Sequence, residues 1–505
     1  MVKNNKGLWV ICSAVFWFLF AHGYRLANNM FSHDSLLEVY QDDSAWQIAL
    51  GRFVQPVLIF LRGGITNPWL IGFCAMLWLT AAVYLVVDIL EVRGFISIIM
   101  IAGVMVCNPT LISTNSAFLQ EMDFYCLALF LSILGVWLCK KRTLVYTIAG
   151  IISMAVSMGI YQAYICVAIA LVMILILKLS WDKGALVKNM AKDAVLYCIS
   201  LVAAALLFYV TWRVFLKIFG IWTADTYNGM AGLGDYSDIG IWALIVVTYQ
   251  RVFSYFWNPE VFTTMEFKGI SMSIGWLYLV RLANILVVVK IIAEIVLKDV
   301  REKVKGVWIG IQICLIALMP LGMNFVNIMS KDMEHTLMIY AFVMLYVLAV
   351  WLDEQTDMGK WKRGVLVILI GCVVWSNVVY ANQVYLKKDL QEKAASSLLT
   401  RIVLDIEDVE GYVPGVTPVA FSGSFESSPY IQELYGFEDI LPYGMGKTTL
   451  TYIGTEQAFL KYELNVLINT TSISAEDDEV QKMPTYPLEG SVGYVGDVLV
   501  VKISD

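Results

Sequence analysis

Between His22 and Gly64 the sequence gathers side chains that could move a proton and hold charge. The stretch carries two of the three histidines (His22, His33), three aspartates (Asp34, Asp42, Asp43), Glu38 and three arginines (Arg25, Arg52, Arg62). A carboxylate within hydrogen-bond reach of a hydroxyl can take its proton. A fixed arginine stabilises negative charge that develops on a departing group. Asp34, between His33 and Ser35, and Arg52, after Gly51, are the first candidates for a site. The same residues admit a plainer reading. Loop carboxylates are common, and Asp34-Ser35 ahead of an apolar run is also an N-cap signature.

Other candidates lie further along. In NSAFLQEMDFY, Glu121 and Asp123 precede an apolar run, and one or both could sit inside the protein at the level of the first loop. Negative charge is also favoured there by the helix dipole alone. Tyr161 and Gln162 in SMGIYQAYI could hydrogen-bond sugar hydroxyls, but both are ordinary at a membrane interface. Arg281, deep in WLYLVRLANILVVV, is a functional candidate because a charge at that depth is costly unless paired. Pairing with an acid on another helix is the alternative. Lys331 and His335 in NIMSKDMEHTL could neutralise a lipid phosphate. Lys290 and Glu294, four apart, read as a helix-surface pair.

The elements that position these groups are mostly apolar. The 505 residues are 59% hydrophobic and 15% charged, against about 25% charged in soluble domains. Runs near the roughly 20 residues that span a bilayer recur along the chain. Eleven spans are expected, at about 7–22, 67–89, 94–112, 123–139, 143–158, 161–178, 194–216, 272–297, 306–322, 335–352 and 364–381. With the N-terminus inside, the inner segments hold 17 Lys/Arg and the outer ones before residue 382 hold 8, which supports that orientation. The odd count then puts the C-terminal region outside. The N-terminal MVKNNK and the run after it resemble a signal peptide without a small-residue cleavage site, so an uncleaved first helix is expected. The nine cysteines lie in or beside apolar segments without metal-ligand spacing, which argues against disulfides and a cysteine metal site.

From Ser35 to Arg62 the apolar positions predict amphipathic helices lying on the membrane, broken near Pro56. A second interfacial helix is expected over 239–258, where Gln250 and Arg251 interrupt an aromatic-rich run. Composition shifts near Tyr385. Residues 385–505 carry 8 Lys/Arg and 19 Asp/Glu, a net charge of −11, against +4 for the remainder. This predicts a multi-span membrane domain over 1–384 and an acidic α/β domain over 385–505. In the latter, SSLLTRIVLDIEDV reads as helix, TPVAFSG and YVGDVLVVKI as strands, and EDDE (476–479) as a turn. Such a negative surface suits anionic wall polymers poorly.

The quoted residues resemble a known family, the glucosyl transferase II membrane glucosyltransferases of the serotype-converting kind, in the GT-C superfamily. The most specific part is N-x-x-x-x-H-D-S (Asn28 to Ser35) followed by W-Q-I-x-L-G-R (Trp46 to Arg52). Asp123 and Tyr161-Gln162 also fit, and the resemblance covers most of the chain to about residue 385. The family often has two adjacent acids where this chain has His33-Asp34, so only Asp34 carries over from that pair.

The resemblance implies a fold and a reaction. The fold would be an all-α polytopic GT-C-like bundle with a small extracytoplasmic α/β domain, in a bacterial cytoplasmic membrane. The reaction would be inverting transfer of a hexose, usually glucose, from a polyprenyl-phosphate carrier to a cell-surface glycan. Asp34 would be the base and Asp123 the auxiliary acid. His33, Trp46, Arg52, Tyr161, Gln162, Arg281, Lys331 and His335 would bind substrate, with Arg52 first among the phosphate cations. No metal or cofactor and no nucleic acid is expected; membrane lipid is, with a lipid-sugar synthase and a flippase acting upstream. Two other readings remain: a polysaccharide polymerase or ligase, disfavoured by Arg-poor outer loops, and a lipid-linked glycan flippase or transporter, for which only Arg281 speaks.

Overall fold

Apolar runs in a non-aqueous setting must pair their backbone groups within the segment, and helices do so. The computed structural model describes residues 5–41, 44–181, 187–223, 240–257, 274–331, 334–356, 360–440, 445–451 and 454–505. Asp42, Asp43 and the side chain of His33 lie outside the described part. The chain begins with α1 (Lys6–Ala27), followed by three short helices, α2 (His33–Leu37), α3 (Ser44–Ala49) and α4 (Gln55–Leu61). The bundle continues with α5 (Pro68–Ile89), α6 (Phe95–Val106), α7 (Pro109–Ala117), α8 (Met122–Cys139), α9 (Leu144–Ile160), α10 (Ile165–Leu179) and α11 (Val187–Phe219). Then come α12 (Ile241–Trp257), α13 (Ile274–Glu302), α14 (Gly306–Met323), α15 (Phe325–Met329), α16 (Val343–Thr356) and α17 (Lys360–Glu407).

Among the described residues, eight helical segments are long and apolar enough to cross a membrane: α1, α5, α6 with α7, α8, α10, α11, α14 and α17. The protein is therefore a helical membrane protein. The other three expected runs are also helical. Of these, α9 is apolar but 17 residues long, α16 has 14, and α13 carries Arg281, Lys290 and Glu294. Asparagines punctuate the bundle. Asn67 and Asn108 each cap a helix opened by proline, accepting from the N–H of Leu70 (3.0 Å) and Leu111 (3.1 Å), which satisfies donors that the first turn leaves orphaned. Lys290 bonds Glu294, as its spacing predicts, and also reaches Asp353 of α16 at 2.8 Å.

The loop between α1 and α5 is folded rather than loose. Tyr40 bridges Ile65, and the Gln41 N–H donates to the Gly64 carbonyl (2.7 Å). Pro56 opens α4 instead of breaking a longer helix, because its missing N–H is not needed in a first turn. Phe60 and Leu61 project outward, 81% and 73% exposed.

Beyond the bundle, β1 (Pro418–Ser422), β2 (Asn469–Thr471), β3 (Val492–Val495) and β4 (Val498–Lys502) form one sheet in the order β2-β1-β4-β3. β1 is parallel to β2 and β4, and β3–β4 is an antiparallel pair. The helices α18 (Thr455–Tyr462) and α19 (Asp478–Lys482) accompany it. The strands fall where alternation predicts them, but part of the EDDE segment joins α19, with Asp477 as its N-cap. The helix α17 passes Tyr385 without a break, about 72 Å long at 1.5 Å per residue. Its early turns pack in the bundle, and Leu399, Ile402 and Ile406 enter the core beneath the sheet.

Candidate active site

That second core is not confined to the C-terminal residues. Phe31 and Leu36, either side of Asp34, are buried in it beside Leu399 and Phe459. Ser32 caps α2, its N–H donating to Ser35 Oγ at 2.8 Å, and its hydroxyl donates to the Ala117 carbonyl at the end of α7. The Phe31 N–H donates to Glu392 of α17 at 3.0 Å. Asp34 is thus not the cap. It sits in the first turn of a five-residue helix clamped between the bundle and the C-terminal layer. Burial, with the like charge of Glu38, pushes its carboxyl up to about 7, against the pull of Arg52.

Arg52 is aimed by the residue before it. Gly51 has φ +82°, and a Cβ there would lie 2.6 Å from the Gln162 amide nitrogen. Both constraints favour glycine. That amide donates to the Leu50 carbonyl at 2.8 Å, and the Arg52 N–H donates to the Gln47 carbonyl at 2.8 Å. The guanidinium then stands 5.2 Å from the Tyr161 ring centroid and 5.9 Å from that of Tyr125, within cation–π range. The two rings stack with centroids 4.1 Å apart.

These groups meet in one cleft. Asp34, Glu38, Trp46, Arg52, Glu121, Tyr125, Tyr161 and His335 line it, around a cavity of about 50 Å³. Glu121 is buried and accepts from the amides of Gln55 (2.5 Å) and Gln47 (3.4 Å). Trp46 is 42% exposed at the rim.

Not every expected residue arrives there. Asp123 is one face away. Its carboxylate pairs with Arg62 at 2.6 Å, and both side chains are buried. Arg62 also donates to Gln41 and to the Gln120 carbonyl (2.8 Å) and lies over the Phe124 ring. Residues two apart at a helix start face opposite sides, so the cleft receives Glu121 where the sequence suggested Asp123. Gln162 braces the Leu50 carbonyl. Arg281 rests near the rings of Trp257 and Tyr278, at 5.7 and 5.3 Å. Lys331 ends α15 with φ +50°. Neither cation is among the described residues that line the cleft. His22 bonds the Tyr385 hydroxyl (2.7 Å) and the Val106 carbonyl (3.1 Å) inside the bundle.

Sequence reasoning named Glu38, Glu121 and Arg62 without giving them a place in the site, and did not single out Tyr125. Two of these had a signal. Glu38 follows Asp34 by four residues and Tyr125 follows Glu121 by four, the spacing that shares a helix face. Arg62 had none, since nothing local distinguishes it from Arg52.

An apolar helix bundle that also holds a cleft of carboxylates, arginine and aromatic rings defines a helical membrane protein with a polar cavity. Residues 23–352 match the family model described as Glucosyl transferase GtrII, and the chain belongs to that family. It is a membrane glucosyltransferase by that membership. No curated protein and no solved structure matches the chain.

Proposed function

We propose that the protein transfers glucose from a polyprenyl-phosphate carrier to a cell-surface glycan, with inversion, at the outer face of a bacterial cytoplasmic membrane. The observation that carries this reading is the placement of Asp34 and Arg52 on one cleft. The acceptor hydroxyl gives its proton to the Asp34 carboxylate as its oxygen bonds to the anomeric carbon. The bond from that carbon to the phosphate oxygen breaks, and the electron pair leaves with the lipid phosphate. Arg52 faces the charge that develops there. A single displacement inverts the centre. A carboxyl titrating near 7 suits a base that must be ionised yet still able to hold a proton. Glu121, held by Gln55 and Gln47, takes the auxiliary role expected of Asp123.

A lipid carrier is also supported by an apolar cavity of about 680 Å³ between α12, α13, α14 and α16. Residues 334 and 335 between them touch both the cleft and α12, which forms one wall of that cavity. His335 lines the cleft, whereas Glu334 lies 3.9 Å from Arg251 of α12.

Purified protein in nanodiscs, given radiolabelled polyprenyl-phosphate-glucose and cell-wall glycan, is expected to move label onto the glycan. Label carried across a vesicle membrane without transfer would replace this reading with a transporter.

A further inference from the structure

The sheet-bearing layer is strongly acidic, yet one of its cavities is edged by cations. A pocket of about 250 Å³ lies between the outward half of α17 and the loops 430–434 and 447–448. Gln391, Arg401, Tyr430, Gln432, Lys447 and Thr448 line it. Residues 385–505 contain only eight Lys/Arg against 19 Asp/Glu. Lys387, Lys393 and Lys502 are taken up in ion pairs with Glu433, Asp389 and Asp505. The two cations at the pocket differ. Arg401 donates to the Tyr430 hydroxyl (2.6 Å) and the Ser397 carbonyl (3.3 Å) and lies 5.2 Å from the Tyr430 ring centroid. Neither Arg401 nor Lys447 forms an ion pair among the described residues.

Beside them are an aromatic ring 42% exposed and two amide side chains. The amide of Gln391 donates to the Gly446 carbonyl at 2.7 Å, which turns its oxygen into a fixed acceptor. Two cations, a ring and amide groups are the chemistry that holds a saccharide bearing an acidic group. The net charge of −11 sets a limit: a polymer charged at every unit is repelled by the surroundings, whereas a mostly neutral glycan with an isolated acidic group is not. The pocket also adjoins the cleft's support. Gln391 precedes Glu392, whose carboxylate holds the Phe31 N–H three residues before Asp34.

We infer that this pocket binds a segment of the acceptor glycan that carries a single carboxylate or phosphate, through Arg401, Lys447 and Tyr430. The identification of the ligand as acceptor rests on the transferase reading above. Binding can be measured without any donor, so the two claims fail separately. Full-length protein in phosphatidylcholine nanodiscs would be titrated with aldotetraouronic acid, a xylotriose bearing one uronic acid, and with xylotriose itself. Saturable binding of the acidic sugar is expected, at least about tenfold tighter than the neutral one, as one charge-assisted contact supplies. Arg401→Gln and Lys447→Gln should each weaken it about tenfold without moving the thermal unfolding midpoint. Equal affinity for both sugars, no saturable binding, or indifference to both substitutions would overturn the proposal. So would complete displacement by phosphatidylglycerol in the nanodisc, which would make a lipid headgroup the ligand. Failed transfer with binding intact would instead count against the transferase reading.

Discussion

Two arginine–carboxylate arrangements use arginines ten residues apart on one loop, and they differ in where their side chains point. Arg62 and Asp123 close on each other at 2.6 Å, with Gln41 and the Gln120 carbonyl taking further donors, and both side chains are buried. Arg52 and Asp34 instead face one cleft, with Tyr125, Tyr161 and Trp46 around them. The first arrangement fastens the loop to α8. The second lines a cavity. Charge type and proximity in sequence do not separate the two; the direction of each side chain does.

Substitutions can break or sharpen this contrast. The largest effect is expected at the closed pair. Removing one partner of a buried ion pair leaves the other charge uncompensated, at about 3–5 kcal/mol. Arg62→Ala should therefore lower thermal stability sharply, and a variant as stable as the parent would show that the pair is not structural. At the open site, Arg52→Ala should leave the fold intact and weaken donor use more than acceptor use, by about 1.5–3 kcal/mol for a lost charge-assisted contact. An unchanged apparent donor affinity would reassign the phosphate cation. The smallest effect is on the pH profile. Asp34 must be ionised to act, so transfer should rise with pH through about 7. Glu38→Gln removes a like charge that holds the Asp34 carboxyl up, so the acidic limb should move to lower pH. A limb that stays in place would separate the pH dependence from Asp34.

Much of this was readable from residues alone. The apolar runs became helices because nothing else satisfies a backbone in lipid, and the short helices after Ser35 followed their apolar spacing. The strands at 418–422 and 492–502 followed their β-branched alternation. Asp34 and Arg52 carried a recognisable sequence neighbourhood. What could not be read was tertiary. Whether Glu121 or Asp123 faces the cleft depends on where Arg62 sits, and that is decided by a contact between residues 61 apart in the chain. The compositional break near Tyr385 gave no hint that one helix runs through it. Nor did it suggest that Phe31 and Leu36 would be buried among C-terminal residues, making the acidic layer a support for the candidate base.

Asp34 as the base is the claim on which the account turns, and a single-turnover assay reaches it most directly. Asp34→Asn protein would be preloaded with radiolabelled polyprenyl-phosphate-glucose and mixed with saturating glycan, beside the parent. The account predicts that the donor still binds and the protein stays folded, while the transfer rate falls by at least about a hundredfold, the lower end of what general-base catalysis contributes. Transfer at the parental rate with bound donor would contradict it.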